Sequence, residues 1–240
     1  MIFEPIWDLA KLALSVAFLY LALGVYVHRR QPHWIEALQR RRMTILWTLV
    51  LAVSVIKVVE DVLGGESGPI DEWILMLIHA LVPSSLNAFF AAITFTGSGR
   101  VLVSLTVVTT LTLLVAKRRF EALLLAASVI VAAMLVYVLK TLVGRARPVL
   151  WDTEWYWGSS FPSGHTLVVA AFAMAAALCT MRIRPQTRRL AMSVALSWIS
   201  LVALSRLVLG VHWPTDVLAA ACIGMLLPLA TSIALEPRDT

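Results

Sequence analysis

Three short stretches carry the residues that could do chemistry: KTLVGRARP from Lys140 to Pro148, FPSGHT from Phe161 to Thr166, and SRLVLGVHWPTD from Ser205 to Asp216. Each adjoins a long apolar run, where an uncompensated charge is costly and needs a partner or a task. Lys140 and Arg206 are cations near the ends of such runs. Arg147 offers a planar fork of donors that matches phosphate oxygens, and Pro148 stops any helical continuation after it. Ser163 is a natural N-cap for the run that follows. Gly164 then leaves the backbone bare in the first turn. The N–H groups at a helix start bind anions, which would set His165 beside the anion. Pro214 suits the first turn of the last run. Asp216 falls in that same turn, four residues after His212, and can reach back to it. A carboxylate on one imidazole nitrogen sets the tautomer and leaves the other nitrogen free to attack.

Three cations, a helix N-terminus, two histidines and a carboxylate suit phosphoryl transfer. The cations and N–H groups would neutralise the equatorial oxygens. One histidine would attack phosphorus and the other would protonate the leaving oxygen. That scheme needs neither a metal nor a cofactor, and no CxxC, HExxH or carboxylate cluster suggests a metal site. Cys179 and Cys222 lie inside apolar runs and read as small buried hydrophobes.

The elements that must position these residues are membrane helices. Of the 240 residues, 60% are hydrophobic and 14% charged, with a mean hydropathy of +0.86, far from the mixture of a soluble domain. Apolar runs of about 20 residues recur, the length of a bilayer-crossing helix. The expected fold is all-α, a polytopic transmembrane bundle of six to seven spans, near 9–27, 44–63, 99–117, 121–143, 163–181, 188–209 and 214–235. The stretch 72–93 is apolar but interrupted by Pro83, Ser84, Ser85 and Asn87. It reads as an interfacial helix or a re-entrant segment on the outer side.

The formal charge of +6 does not point to nucleic acid. Of the 20 lysines and arginines, 12 fall in three connectors: Arg29, Arg30, Arg40, Arg41 and Arg42; Lys117, Arg118 and Arg119; and Arg182, Arg184, Arg188 and Arg189. This is the pattern of cytoplasmic loops. If 72–93 crossed the membrane, the first connector would fall on the side opposite the other two. The expected topology therefore has seven spans, the N-terminus outside and the three polar clusters on the non-cytoplasmic face. Glu4 and Asp8 precede the first run without a basic segment, which argues against a cleaved signal peptide.

Other polar residues take structural readings. Arg100 and Arg145 read as interfacial anchors, His79 as a surface residue of the interfacial segment, and His28 and His33 as part of the first basic loop. Lys57 and Asp61, four apart and flanking Glu60, read as a pair on one helix face. Trp151, Trp155, Tyr156 and Trp157 read as an interfacial belt. A sharper reading makes them the entrance for a lipid tail, with Asp152 and Glu154 screening headgroups by charge.

Together the three clusters resemble the signature of the type-2 phosphatidic acid phosphatase superfamily, which includes the vanadium haloperoxidases. The family patterns K-x6-RP, PSGH and SR-x5-H-x3-D are matched by Lys140 with Arg147 and Pro148, by Pro162 to His165, and by Ser205 and Arg206 with His212 and Asp216. The stretch 72–143 is similar more loosely, through TFTGSGR. The resemblance implies a haloperoxidase-like helical core built from the last five spans. It implies that His212 is a nucleophile forming a phosphohistidine, that Asp216 orients it, and that His165 is the general acid and later the base for water. Lys140, Arg147, Ser163, Gly164 and Arg206 would hold the phosphate. Residues 1–65 are then an added pair of spans and 66–240 the phosphatase core.

The expected function is an integral membrane phosphatase, metal-independent, acting on a lipid phosphate or diphosphate. Its expected location is a bacterial inner (plasma) membrane, with the site facing the periplasm or exterior and with membrane lipids as partners. A lipid phosphotransferase would use the same residues. A transporter would spread polar residues through the spans, whereas here they gather at one face. The sequence leaves open the oligomeric state and the choice among phosphatidic acid, phosphatidylglycerol phosphate, polyprenyl diphosphate and phosphorylated lipid A.

Overall fold

The computed structural model describes residues 3–151 and 158–235, and all regular structure among them is helical. The chain divides into two compact units, Met1–Lys57 and Val58–Thr240. The first unit holds α1 (Phe3–Arg30), the short α2 (Ile35–Arg40) and the beginning of α3 (Arg42–Gly64). The second holds the end of α3 and then α4 (Gly68–Leu81), α5 (Asn87–Thr96), α6 (Gly99–Val115), α7 (Arg119–Val143), α8 (Gly164–Ile183), α9 (Arg188–Val208) and α10 (Pro214–Leu235).

Six segments among the described residues are long and apolar enough to cross a membrane: Ala10–Arg30, Arg42–Gly64, Arg119–Val143, Gly164–Ile183, Pro185–Val208 and Pro214–Ser232. The chain is built as an integral membrane protein. Two stretches take a more particular form than the sequence specified. The span expected at 99–117 is α6, a helix of 17 residues. Seventeen residues lie at the lower end of the range that crosses a bilayer. The stretch 72–93, expected as an interfacial helix or a re-entrant segment, takes a bent form that a re-entrant segment or a broken span would have. It is part of a bent pair, with the segments Gly68–Leu81 and Ser84–Thr96 meeting at 91°. Pro83 is the cause: it removes a backbone donor and forces the residue before it out of the helical region. Val82 accordingly has φ −99° and ψ 114°.

The core of the second unit is α8, which packs against α6, α7, α9 and α10. Its sequence is apolar on every side, as a helix enclosed by others must be. Val169, Ala170, Ala171, Ala173 and Ala175 are all buried. Small residues allow backbones to approach closely where no hydrophobic effect drives association. Gly224 on α10 is the sharpest case, because a Cβ there would lie 2.4 Å from the Leu167 carbonyl oxygen. This contact holds α10 against α8 one turn beyond the N-terminus of α8.

Short connectors make α8, α9 and α10 alternate in direction, and Lys140 near the end of α7 bonds Ser159 just before α8. The C-terminal ends of α7 and α9 and the N-terminal ends of α8 and α10 therefore meet at one end of the bundle. The Ser163 N–H, for example, donates to the Asp216 carbonyl at 3.3 Å. The opposite end has its own lock. Arg182 lies 3.9 Å from Glu121 Oε1 and 4.2 Å above the Phe120 ring. Cys179 Sγ donates to the Glu121 carbonyl at 3.4 Å. Both cysteines are free thiols and buried, as expected of apolar packing residues.

Candidate active site

The first cluster is shaped by the way α7 ends. Gly144 takes the left-handed conformation (φ 62°), and its N–H closes the helix on the Lys140 carbonyl. A glycine is suited to this cap because it has no Cβ to clash. The chain leaves as an irregular segment carrying Arg145 and Arg147. Lys140 Nζ turns back to donate to the Ser159 carbonyl. Arg147 donates through Nη1 to the Val211 carbonyl at 2.7 Å and through Nε to the Gly158 carbonyl at 3.2 Å. Two cations thus meet at the loop that leads into α8.

The second cluster begins α8. Ser163 holds the N-cap position, with φ −67° and ψ 107°. Its hydroxyl does not cap a backbone N–H, contrary to expectation. It pairs with Thr166 Oγ1 at 3.0 Å. The N–H groups of the first turn have no preceding helical carbonyl to bond, so Gly164, His165 and Thr166 form the positive end of the helix dipole.

The third cluster joins α9 to α10. His212 is 2% exposed and Asp216 fully buried. Nδ1 of His212 lies 3.6 Å from Asp216 Oδ2, and that oxygen accepts the Trp213 N–H at 2.9 Å. Nε2 of His212 lies 3.3 Å from Arg147 Nη1. Arginine only donates, so Nε2 presents its lone pair there and the proton resides on Nδ1, facing Asp216. Burial pushes the imidazole down to about 4, with Arg206 and Arg147 adding to it and Asp216 opposing. The ring is neutral at pH 7, with the Nε2 lone pair directed toward Arg147.

Arg206 is 1% exposed at the end of α9. Its Nη1 donates to Thr94 Oγ1 at 3.4 Å, and Thr94 Oγ1 lies 2.5 Å from Ser205 Oγ. Sequence reasoning missed Thr94, a hydroxyl buried in an apolar helix without a motif around it. His165 is half-buried and opens on a cavity of about 990 Å³, whose wall also includes His79, Asn87, Thr94, Phe95 and Trp151. The charges of Arg206, Lys140 and Arg147 and the ring of His212 all act on His165. The residues of all three sequence clusters therefore share one neighbourhood.

Two readings of single residues change. His79 is exposed, as expected, but its ring also stacks on Trp151 at 4.1 Å, making it part of the cavity wall. Arg145 is not an interfacial anchor. Its guanidinium donates to Asp216 Oδ1 at 2.7 Å and to Asp71 Oδ2 at 2.7 Å, and both acids are fully buried. Two carboxylates inside the bundle need a cation, and that need outweighs an interfacial position. The signal available was Asp71 itself, an acid in the apolar stretch GPIDEWILMLIHAL. Arg100 is exposed at the start of α6. The readings made for Asp152, Glu154, Trp155, Tyr156 and Trp157 lie outside the described residues. Among the described residues, no group of three or more His, Cys, Asp or Glu side chains could hold a metal ion.

Comparison with known proteins puts this geometry in context. Residues 121–238 match the model of the PAP2 superfamily. Phosphatidylglycerophosphatase B of Escherichia coli is 40% identical over 78 residues, 32% of this chain and 30% of that protein. Lipid A 1-phosphatase of Rhizobium johnstonii is 31% identical over 116 residues, 44% of each chain. The chain thus spans less than half the length of either relative. The crystal structure of a transmembrane PAP2 type phosphatidylglycerolphosphate phosphatase from Bacillus subtilis superposes with a TM-score of 0.63 at 23% identity, covering 91% of this chain and 92% of that one. That likeness is one of fold.

Proposed function

We propose that this chain, whose residues 121–238 match the PAP2 superfamily, is a membrane-embedded phosphatase that hydrolyses a lipid phosphate or diphosphate through a phosphohistidine. The observation that carries the reading is the placement of His212 between two charged groups, with Asp216 3.6 Å from Nδ1 and Arg147 3.3 Å from Nε2. A proton on Nδ1 leaves Nε2 to attack phosphorus as the bond to the leaving oxygen breaks. His165 gives its proton to that oxygen, and the alcohol or phosphate monoester departs. His165 then takes a proton from water, whose oxygen attacks the phosphohistidine and releases inorganic phosphate.

Lys140, Arg147 and Arg206, with Ser163 and the Gly164 N–H at the start of α8, stabilise the charge that develops on the phosphoryl oxygens. Lys140 and Arg147 hold backbone carbonyls of the 158–159 segment, and a phosphate oxygen competes for the same donors with a full negative charge. A cavity of about 990 Å³ exceeds what a phosphate needs. Its mixed lining of Asn87, Ser98, Phe95 and Val211 fits a lipid headgroup and the start of its chain. In this reading the site faces the non-cytoplasmic side. The basic groups at Lys117–Arg119 and Arg182–Arg189 stand at the other ends of the same helices, where positive charge marks the cytoplasm.

The test is phosphate release by the purified chain in detergent, without an acceptor lipid. The panel is phosphatidic acid, phosphatidylglycerol phosphate, polyprenyl diphosphate and phosphorylated lipid A. Release from at least one is expected, blocked by orthovanadate and unaffected by EDTA. Silence on the whole panel would sink the proposal, and release that requires a second lipid would make the protein a phosphotransferase.

The acid limb of the pH profile is a second expected result. His212 must be neutral to attack, and its proton binds near pH 4 rather than near 6.5. The loss of activity that comes from protonating His212 should therefore be absent as pH falls through 6 and set in only as it approaches about 4. An acid limb centred near 6.5 would mean that the nucleophile is a more exposed group.

A further inference from the structure

The structure assigns Arg145 and Asp71 as positioning residues for the nucleophile, an inference that rests on the function proposed above. The guanidinium of Arg145 divides its two amino groups between two buried acids. Nη1 donates to Asp216 Oδ1 at 2.7 Å and to Thr215 Oγ1 at 2.8 Å. Nη2 donates to Asp71 Oδ2 at 2.7 Å and to Ser67 Oγ at 3.0 Å. Asp71 also accepts the Thr215 N–H at 2.9 Å and its hydroxyl at 2.6 Å. The first turn of α10 is thereby tied to α4 through both backbone and side chain.

The consequence lies in how the oxygens of Asp216 are shared. Arg145 takes Oδ1, while Oδ2 receives the Trp213 N–H and faces His212 Nδ1. A carboxylate held at one oxygen by a fixed fork cannot rotate about its last bond, so Oδ2 stays aimed at the imidazole. Asp71 does for Arg145 what Arg145 does for Asp216. It occupies the other half of the guanidinium and keeps this cation on the acids rather than on a phosphate. Arg145 and Arg147, two residues apart, thus have separate tasks. Arg147 lies beside His212 Nε2, and Arg145 lies behind Asp216.

The experiment combines kinetics with nitrogen-15 spectra of histidine-labelled full-length protein in detergent, the His212 signals being assigned by their loss in His212→Asn. In the wild type, His212 should carry its proton on Nδ1. In Arg145→Met that single tautomer should be lost, and kcat should fall about a hundredfold with KM within about threefold, as expected when a group is misplaced rather than removed. Arg145→Lys should not restore it, because a point charge cannot bridge two carboxylates. Asp71→Asn should shift both readouts the same way, and the double variant Asp71→Asn with Arg145→Met should be no worse than Arg145→Met alone. An unchanged His212 spectrum in Arg145→Met, or a raised KM with kcat retained, would overturn the assignment. If Arg145→Met fails to fold, Asp71→Asn and the double variant, which removes the Asp71 charge together with that of Arg145, decide by the same readings. If the wild type releases no phosphate from any lipid, the functional reading fails, while the spectra still decide whether Arg145 holds His212.

Discussion

Replacing His212 with alanine is expected to lower phosphate release by at least about four orders of magnitude, because the reaction loses its covalent route and nothing else supplies the attacking atom. The remaining cations and helix N-terminus could still bind and polarise the substrate, so KM should change little. Folding should survive. The imidazole sits at a loop between α9 and α10, and its neighbours Arg147 and Asp216 keep other partners, the Val211 carbonyl for the first and Arg145 with the Trp213 N–H for the second. The measurements are phosphate release under saturating lipid and a thermal melt in the same detergent. A variant that melts normally and keeps more than about a hundredth of the activity would show that another residue is the nucleophile.

Asp216→Asn should cost nearly as much, for a different reason. Arg145 demands an acceptor at the Oδ1 position, where it donates at 2.7 Å. The asparagine oxygen must therefore sit there, which turns the amide nitrogen toward the Trp213 N–H and His212 Nδ1. Two donors then face each other, and the amide N–H also offers itself to Nδ1. The imidazole responds by placing its proton on Nε2, so the attacking lone pair disappears. A wrong tautomer in a hydrogen-bonded catalytic histidine is worth about 10⁴-fold in kcat in the serine protease precedent. A comparable fall, with KM retained, is expected here in the same phosphate-release assay. Loss of less than about tenfold would mean that the 3.6 Å approach of Asp216 to His212 does not govern the tautomer.

These two residues also show how much of the site was legible in the chain itself. His212 and Asp216 are four apart across a proline that starts a helix, so their meeting is a local matter of one helical turn. The same holds for Gly164 and His165 at the start of α8. Lys140, Arg147 and Arg206 could be read as cations at the ends of apolar runs, which is also a local property. The bend at Pro83 was visible as an interruption, although the sequence did not tell whether one helix or two would result. Thr94 gave no signal, because a threonine in an apolar helix usually bonds its own backbone, as Thr106 and Thr112 do here.

Arg145 marks the boundary between the two kinds of information. By composition it is indistinguishable from Arg147, two residues on, and both follow the same helix end. Hydropathy, helix period and turn residues are set by neighbours along the chain. They determined by themselves that this is a helical membrane protein, roughly where most of its long helices lie, and which polar residues stand near their ends. Which arginine meets which acid was decided only when α4 packed against α10 and carried the buried Asp71 to Thr215 and Arg145. That pairing joins residues 74 positions apart, and inside the bundle it is enforced by the cost of leaving a charge without a partner, a cost that no local pattern of residues expresses.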